Sequence, residues 1–294
     1  MTGNRFFRGH RRRGSYDLFS SYNHFLPGWG GIFALAALFL LGGIIGSGMI
    51  SSLAMVFGQP LATEYGVLIT YPVTFIPAML YASIKSRLNE NRIEAAPLDQ
   101  KLSGIRNAAF LAFTCVFATI ATAYIVEPVS KILPEMPQHI KDIMKQLLDG
   151  MPLWATLLCV AVFAPLFEEW LCRGLVLRGL LHKTSPIIAI CASALFFALI
   201  HGNLWQAIPA FVLGILFGYV YYKTGSLKLT MLMHCANNTL AACMSRVPQF
   251  KDAETFMDVL SPWAYWSIYA ACILIAGCAI VIIWNFSNVP EQKD

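Results

Sequence analysis

Charge is scarce in this sequence. Only 13% of its 294 residues are Asp, Glu, Lys or Arg, about half the share of roughly 25% that is usual in soluble proteins. Hydrophobic residues make up 57%, the mean hydropathy is +0.61, and apolar stretches near the roughly 20 residues that cross a bilayer recur along the chain. These features exclude an ordinary soluble domain and predict an all-α, polytopic membrane helix bundle.

Several sequence signatures are also missing. The eight cysteines contain no CxxC pair and lie in apolar stretches, so we predict neither a disulfide framework nor a zinc finger. The chain has no HExxH motif, which excludes the common zinc-protease signature. The net charge of +5 comes from loops that flank apolar segments, so a nucleic-acid partner is not expected. The first apolar run exceeds the core of a signal peptide, and we expect it to be retained.

About eight membrane spans are predicted, near 29–53, 66–84, 107–126, 152–171, 186–201, 205–222, 227–245 and 262–285. Between the third and fourth lies segment 127–151, which is typical of an amphipathic helix at the interface. Basic residues concentrate before the first span and in segment 85–106. The positive-inside rule therefore places both chain termini in the cytoplasm and segments 127–151 and 246–260 outside.

Polar groups interrupt the apolar segments at a few places. A charged side chain at the middle of a membrane helix costs about 2.5–3.5 kcal/mol on insertion scales, so such groups need a reason. Glu169 and Arg173 are spaced i,i+4 and can pair on one helix face. This pairing leaves Glu168 to face another element. His234 and Asn238 also share a face, and Asn237 lies beside them.

The helical hairpin formed by the fourth and fifth predicted spans should bring Glu168 and His201 together. The turn between their helices is predicted at Thr184-Ser185-Pro186. Glu168 precedes it, and His201 follows it, by about the same number of residues, so the two side chains should lie at the same height. His234 can reach a similar depth. Arg173, Arg178, His182 and Lys183 suggest that the tip of this hairpin projects into the cytoplasm. We therefore expect a polar cavity between the core helices, open to the cytoplasm.

Two kinds of chemistry suit this set of side chains. A carboxylate beside an imidazole can activate water as a general base, while a second imidazole and an amide stabilise an oxyanion. Two histidines and one glutamate could instead hold Zn²⁺ with a water. The residue types do not separate these alternatives.

Three motifs resemble those of a known family. They are EExxxR at Glu168–Arg173, FxxxH at Phe197–His201 and HxxxN at His234–Asn238. In this order they resemble the CAAX-protease and bacteriocin-processing (CPBP, or Abi) intramembrane proteases. The resemblance divides the chain into a basic cytoplasmic lead (1–27), N-terminal helices with the amphipathic segment (28–149), a CPBP-type catalytic core (150–245), and a loop, last helix and tail (246–294).

The resemblance also implies roles for individual residues. Glu168 is the expected base, His201 holds the attacking water, and His234 and Asn238 stabilise the oxyanion. Glu169 and Arg173 form a positioning pair, and Phe197 packs the site. No metal is required, with zinc as the alternative.

The resemblance leaves the substrate and part of the function open. It implies a membrane-embedded enzyme, in contact with lipid, that cleaves a peptide or protein: a lipidated one, a bacteriocin or a signalling peptide. The short loops favour a bacterial cytoplasmic membrane. Two other functions compete: a non-catalytic bacteriocin-immunity or scaffold protein, and a carrier that uses Glu168 and the histidines. Repeat symmetry would favour the carrier, and none is evident.

Overall fold

The computed structural model describes residues 19–102, 105–250, 253 and 255–285. The arginines of the basic lead and the C-terminal tail lie outside these residues. Nine helices make up the described part: α1 (Trp29–Phe57), α2 (Gln59–Asn89), α3 (Ile105–Val126), α4 (Gln138–Asp149), α5 (Leu153–Leu181), α6 (Pro186–Leu199), α7 (Leu204–Thr224), α8 (Leu227–Met244) and α9 (Pro262–Asn285).

The helical, multi-pass architecture predicted from the sequence is confirmed. Six helical segments are long and apolar enough to cross a membrane: 29–57, 65–89, 107–132, 153–181, 204–224 and 262–285. Helix α6 is too short to be counted with them, and α8 is 18 residues long but carries a lysine, a histidine and two asparagines. The count of eight spans stays a prediction.

Helix α5 is the central element and is irregular. Two π-helical segments, Leu157–Phe163 and Trp170–Leu177, flank the regular turn Ala164–Glu169. Carbonyl oxygens in both segments accept hydrogen bonds from neighbouring helices: Val160 from Asn238 at 2.7 Å and Cys172 from Ser193 at 2.8 Å. Such π segments occur mostly as single turns inside helices and often at functional sites.

Helix α6 ends before it can traverse the bilayer. Its 14 residues rise about 21 Å at 1.5 Å per residue, against a hydrocarbon core of about 30 Å. The chain then reverses through Gly202, whose φ of +69° suits glycine. Asn203 caps α7 by accepting from the Gln206 amide at 2.9 Å. The predicted span 186–201 is thus two residues shorter as a helix, and His201 sits in the turn.

The bundle has two distinct ends. At the hairpin end lie the loop 90–102 and the turns 182–185 and 225–226, tied by a bond from the Gln100 amide to the Gly225 carbonyl of 2.9 Å. At the opposite end, the α4 end, lie segments 127–151, 245–250 and 255–261 and the turn 200–203. There Trp205 Nε1 donates to the Pro134 carbonyl at 2.9 Å, and Arg246 donates to the Leu148 carbonyl at 2.6 Å.

Candidate active site

The predicted Glu169–Arg173 pair is present and fully buried. Arg173 Nη1 donates to Glu169 Oε1 at 2.7 Å, and neither side chain is exposed to solvent. The guanidinium lies over the Phe197 ring at 4.5 Å, which gives the predicted packing residue a direct cation–π contact. A second ring, Phe217, lies 5.2 Å away.

Helix α7 comes close enough to contribute a further hydrogen-bond acceptor to Arg173. Arg173 Nη2 donates to the Gly214 carbonyl at 3.1 Å. A Cβ at Gly214 would lie 3.0 Å from Ala194 and 3.4 Å from Arg173 Nη2, so the absence of a side chain permits this approach. Charge pairing, a carbonyl and two rings therefore hold Arg173 in one position.

His234 lies between the two carboxylates. Its Nδ1 is 3.1 Å from Glu169 Oε1, and its Nε2 is 3.9 Å from Glu168 Oε2. An ionised carboxylate only accepts hydrogen bonds, so Nδ1 must carry the proton in the first contact. In the neutral ring Nε2 then holds a lone pair and points toward Glu168. Glu169 thereby sets both the orientation and the tautomer of His234.

Glu168 has a partner that the sequence analysis missed. The hydroxyl of Tyr71, on α2, donates to Glu168 Oε1. The other oxygen, Oε2, is buried and has no hydrogen-bond partner among the described residues. A signal for Tyr71 existed: it lies mid-span, whereas tyrosines usually concentrate at membrane interfaces. The spacing of the motifs carries no information about a helix about 100 residues away.

His201 is half-buried at the end of α6. Its Nδ1 lies 2.8 Å from the Phe197 carbonyl, and because a carbonyl only accepts, Nδ1 carries the proton and Nε2 a lone pair. The Phe197 ring meets both imidazoles edge to face, at 5.0 Å for His201 and 5.4 Å for His234. Among the described contacts none joins His201 to Glu168, whose neighbours are Tyr71 and His234.

Asn238 faces the same site from α8. Its Nδ2 donates to the Val160 carbonyl of α5 at 2.7 Å, and its Oδ1 accepts from Asn237 at 3.1 Å. A primary amide has two N–H donors, and Val160 occupies one of them. The i,i+4 spacing with His234 therefore corresponds to a shared face, as predicted.

A cavity of about 290 Å³ connects these groups to the α4 end. Its polar lining comprises His201, Gln206, His234, Asn237 and Asn238, together with the Trp205 indole. The rest is apolar: Met144, Leu147, Leu148, Val160, Phe197, Pro209, Ala210, Leu213, Phe217 and Ala241. Glu168 is not in this lining and adjoins it through His234.

The position of the cavity conflicts with one expectation. Met144, Leu147 and Leu148 of α4 form part of its wall, so it extends toward the α4 end and away from the hairpin turn 182–185. The distribution of basic residues predicts segment 127–151 outside, whereas the charges near the hairpin tip predict a cavity open to the cytoplasm. These two predictions cannot both hold. The error arose because Arg178 was counted as a charge at the hairpin tip, whereas it is wholly buried.

The positions of the side chains that could ligate a metal bear on the zinc alternative. Among the described residues, no three His, Cys, Asp or Glu side chains are grouped closely enough to hold a metal ion. Glu168 and His234 approach each other, while His201 points its Nδ1 at a backbone carbonyl.

Comparisons with known proteins agree with the motifs. Residues 150–240 match the family model described as type II CAAX prenyl endopeptidase Rce1-like. This segment includes all four predicted catalytic residues. UPF0177 protein YxdF of Lactococcus lactis subsp. lactis (strain IL1403) is 27% identical over 129 residues, which are 42% of this chain and 69% of that protein. No solved structure matches the chain significantly.

These findings confirm the resemblance to the CPBP family in this part of the chain. The matched family is described as an endopeptidase, which supports a protease. The six membrane-length apolar helices support a multi-pass membrane protein.

Proposed function

We propose that this chain is an intramembrane endopeptidase that hydrolyses a peptide bond with water activated by Glu168. The observation that carries the proposal is the facing pair of acceptors, Glu168 Oε2 and His234 Nε2, 3.9 Å apart. That distance is too long for a direct hydrogen bond, but one water can donate to both. A water held in this way has its protons directed at two bases and its lone pairs free for attack.

The remaining side chains then have separate tasks. Water attacks the scissile carbonyl carbon while its proton passes to Glu168 Oε2. The second N–H of Asn238 is suited to the developing oxyanion. His234, whose Nε2 carries a lone pair in this tautomer, is suited to hold the water and not the oxyanion, the role that the resemblance implies for it. Glu168 returns the proton to the leaving amine, and the products are a carboxylate and a free amino group. His201, with Nε2 as an acceptor, is suited to hold the water or the substrate N–H.

Tyr71 and Glu169 act as positioning residues. Tyr71 occupies one oxygen of Glu168, so only Oε2 is directed toward His234. Glu169 accepts from both Arg173 and His234, which holds the imidazole beside the base. No metal or other cofactor is required in this mechanism. A zinc-dependent version of the same protease is the alternative.

The cavity lining supports an endopeptidase. Within the described part of the chain it includes no Lys or Arg, the residues that bind a terminal carboxylate best. An internal, largely apolar peptide segment matches the lining better than a free C-terminus. The substrate would be a lipidated protein, a bacteriocin or a signalling peptide. We propose a bacterial cytoplasmic membrane, with both chain termini in the cytoplasm and no nucleic-acid partner.

The test is cleavage of a pooled peptide library by detergent-purified protein, read by mass spectrometry. We expect Glu168→Ala, His201→Ala and His234→Ala to abolish wild-type cleavage, and a zinc chelator to leave it intact. Glu135→Gln, an exposed glutamate with 88% of its side-chain surface accessible, is the matched control. Cleavage that is lost with chelator and restored by Zn²⁺ would favour the metal alternative. Cleavage that is insensitive to all three variants would overturn the assignment of the site.

A further inference from the structure

The orientation of the cavity in the membrane follows from two independent sets of observations. The first is its place in the fold. On α8, lining residues run from His234 to Ala241, a rise of about 10 Å at 1.5 Å per residue. This direction leads toward Ser245, whose hydroxyl donates to Asp149 at 3.1 Å, and so toward the α4 end.

The second is the distribution of charge between the two ends. Among the described residues, these basic side chains lie at the hairpin end: Lys85, Arg87, Arg92, Lys101, Lys183, Lys223 and Lys228. The acidic side chains there are fewer: Glu90, Glu94 and Asp99. The described part of the hairpin end therefore carries an excess of basic residues.

The α4 end has a different balance. Its described residues include these basic side chains: Lys131, Lys141, Lys145 and Arg246. They also include these acidic side chains: Glu127, Glu135, Asp142, Asp149 and Asp258. Loops rich in Lys and Arg stay in the cytoplasm. The hairpin end is then the cytoplasmic end, and the α4 end lies on the other face.

We infer that the cavity opens on the non-cytoplasmic face of the membrane and takes an apolar peptide segment that is presented from that side. The second half of this statement rests on the proposed function. The substrate class is then an exported peptide, or the outward-facing end of a membrane-inserted protein. A lipidated protein confined to the cytoplasm would not reach the site.

The lining describes the segment that would fit. Apolar side chains dominate it, so burial of apolar substrate side chains favours binding. Gln206 accepts from Asn203 at 2.5 Å through its Oε1, which leaves its amide N–H groups as donors at the wall. A peptide backbone carbonyl is a suitable acceptor for them. Helix α4 covers this part of the cavity, and its exposed residues include Asp142, Ile143 and Lys145.

The orientation can be measured without reference to catalysis. Met144→Cys on the cavity wall and Lys145→Cys beside it mark the α4 end, and Glu90→Cys marks the hairpin end. Each full-length variant is labelled with a membrane-impermeant maleimide in right-side-out and in inside-out vesicles. The wild-type chain, whose cysteines at 191, 243 and 278 are exposed, sets the baseline.

We expect the two α4-end variants to label severalfold above baseline in right-side-out vesicles only, and Glu90→Cys in inside-out vesicles only. The reverse pattern would overturn the inference, as would labelling of Met144→Cys from the cytoplasmic face alone. Failure of Lys145→Cys to label from outside would count against it in the same way.

A second arm addresses the substrate. One apolar test segment is fused to a single-span anchor, so that it faces either outside or the cytoplasm, and is expressed with wild-type or Glu168→Gln protein. We expect Glu168-dependent cleavage of the outward-facing fusion. Cleavage of the cytoplasmic fusion alone would overturn the inference. If labelling shows an outward cavity and neither fusion is cleaved, the orientation stands and the proposed peptidase activity is what fails.

Discussion

Arg173 and Arg178 lie five residues apart on α5, and both are completely buried, yet their surroundings differ. Arg173 donates to a carboxylate, Glu169, and its guanidinium is stacked on aromatic rings. Arg178 donates to backbone carbonyls of Gly174 at 2.7 Å, Phe25 at 2.8 Å and Tyr22 at 3.0 Å, and also to that of Ala96. One arginine belongs to the site, and the other fastens segments near residues 22–25 and 96 to the bundle.

The two arginines illustrate two uses of a buried charge. At Arg173 the positive charge is matched by Glu169, and that match fixes His234 beside Glu168. At Arg178 the carbonyl dipoles solvate the guanidinium, and the gain is the attachment of chain segments that are distant in sequence. A buried charge is costly unless it is satisfied, and the two arginines meet that requirement in two ways. Substitutions should therefore separate catalysis from stability.

The largest effect is expected from Glu168→Gln. The variant keeps the shape and the Tyr71 contact but cannot accept the proton of water, so kcat should fall by about 10²–10⁴, the usual range for general base catalysis. Thermal unfolding in detergent should change little. Steady-state cleavage of the best library peptide measures the effect, with Glu135→Gln as the control. Retained activity would show that the base lies elsewhere.

Arg173→Met should cost both activity and stability. It leaves Glu169 buried without its cation, and breaking a buried pair in this way costs about 3–5 kcal/mol. His234 also loses its fixed partner, so cleavage should disappear. The free energy of unfolding and kcat measure the two effects.

The double variant Arg173→Met with Glu169→Gln tests this explanation. It removes the uncompensated charge and should recover much of the stability but not the activity, because His234 is still not held. If the single variant is as stable as wild type, the pair is not the determinant that we describe.

Arg178→Met should reduce stability without reducing catalysis. The loss of its carbonyl contacts is partly offset because a buried charge no longer has to be desolvated, and we expect about 1.5–3 kcal/mol, the worth of a hydrogen bond to a charged group. The folded fraction should keep the wild-type kcat, since the described hydrogen bonds of Arg178 go to backbone carbonyls and not to Glu168 or His234. Activity per folded molecule, with folding followed by thermal unfolding, decides the matter. A fall in kcat as large as for Arg173→Met would erase the distinction.

The motif spacing predicted what lies within one helix or between neighbouring ones. Glu169 and Arg173 pair because i,i+4 groups share a face, and this holds even though a π segment begins at Trp170. His234 and Asn238 share a face for the same reason. The family resemblance and the helical membrane architecture are confirmed, because both depend on local pattern and composition.

What spacing did not predict depends on tertiary placement. Tyr71 reaches Glu168 from a helix far away in sequence. Arg178 was interpreted as a charge at the hairpin tip, but folding encloses it among carbonyls. The π segments leave no trace in hydrophobic periodicity, and the wall that α4 adds to the cavity could not be inferred from an amphipathic pattern alone. Each of these depends on which elements meet, a property that a single sequence without an alignment does not reveal.

Tyr71→Phe should have a moderate effect on catalysis. It removes one hydrogen bond to a carboxylate, worth about 1.5–3 kcal/mol, and leaves Glu168 freer to rotate away from His234. We expect kcat to fall roughly tenfold or more with little change in KM, because the variant disturbs the position of the base and not the cavity that binds the peptide. Tyr81→Phe, on the same helix and packed on Phe25 at 5.6 Å, is the matched control. An unchanged kcat would contradict a positioning role for Tyr71.

The smallest effect is expected from an ion pair at the surface of the α4 end, which provides the contrast to buried Arg173. Lys131 Nζ donates to Asp258 at 2.7 Å, with 39% and 36% of the two side chains exposed. This hydrogen bond lowers the pKa of the Asp258 carboxyl to about 2, from an ordinary value of 3.8. Because the folded-state pKa lies below the unfolded one, the stabilisation is present above about pH 4 and is lost as the pH falls toward 2.

Lys131→Met should therefore reduce the free energy of unfolding at pH 7 by only about 0.2–1 kcal/mol, as is usual for exposed pairs. The difference from wild type should shrink as the pH approaches 2. Unfolding in detergent at several pH values measures both quantities, with cleavage at pH 7 expected to be unchanged. A loss as large as that of Arg173→Met would mean that charge pairing at the membrane surface, and not burial, governs how much an ion pair contributes in this fold.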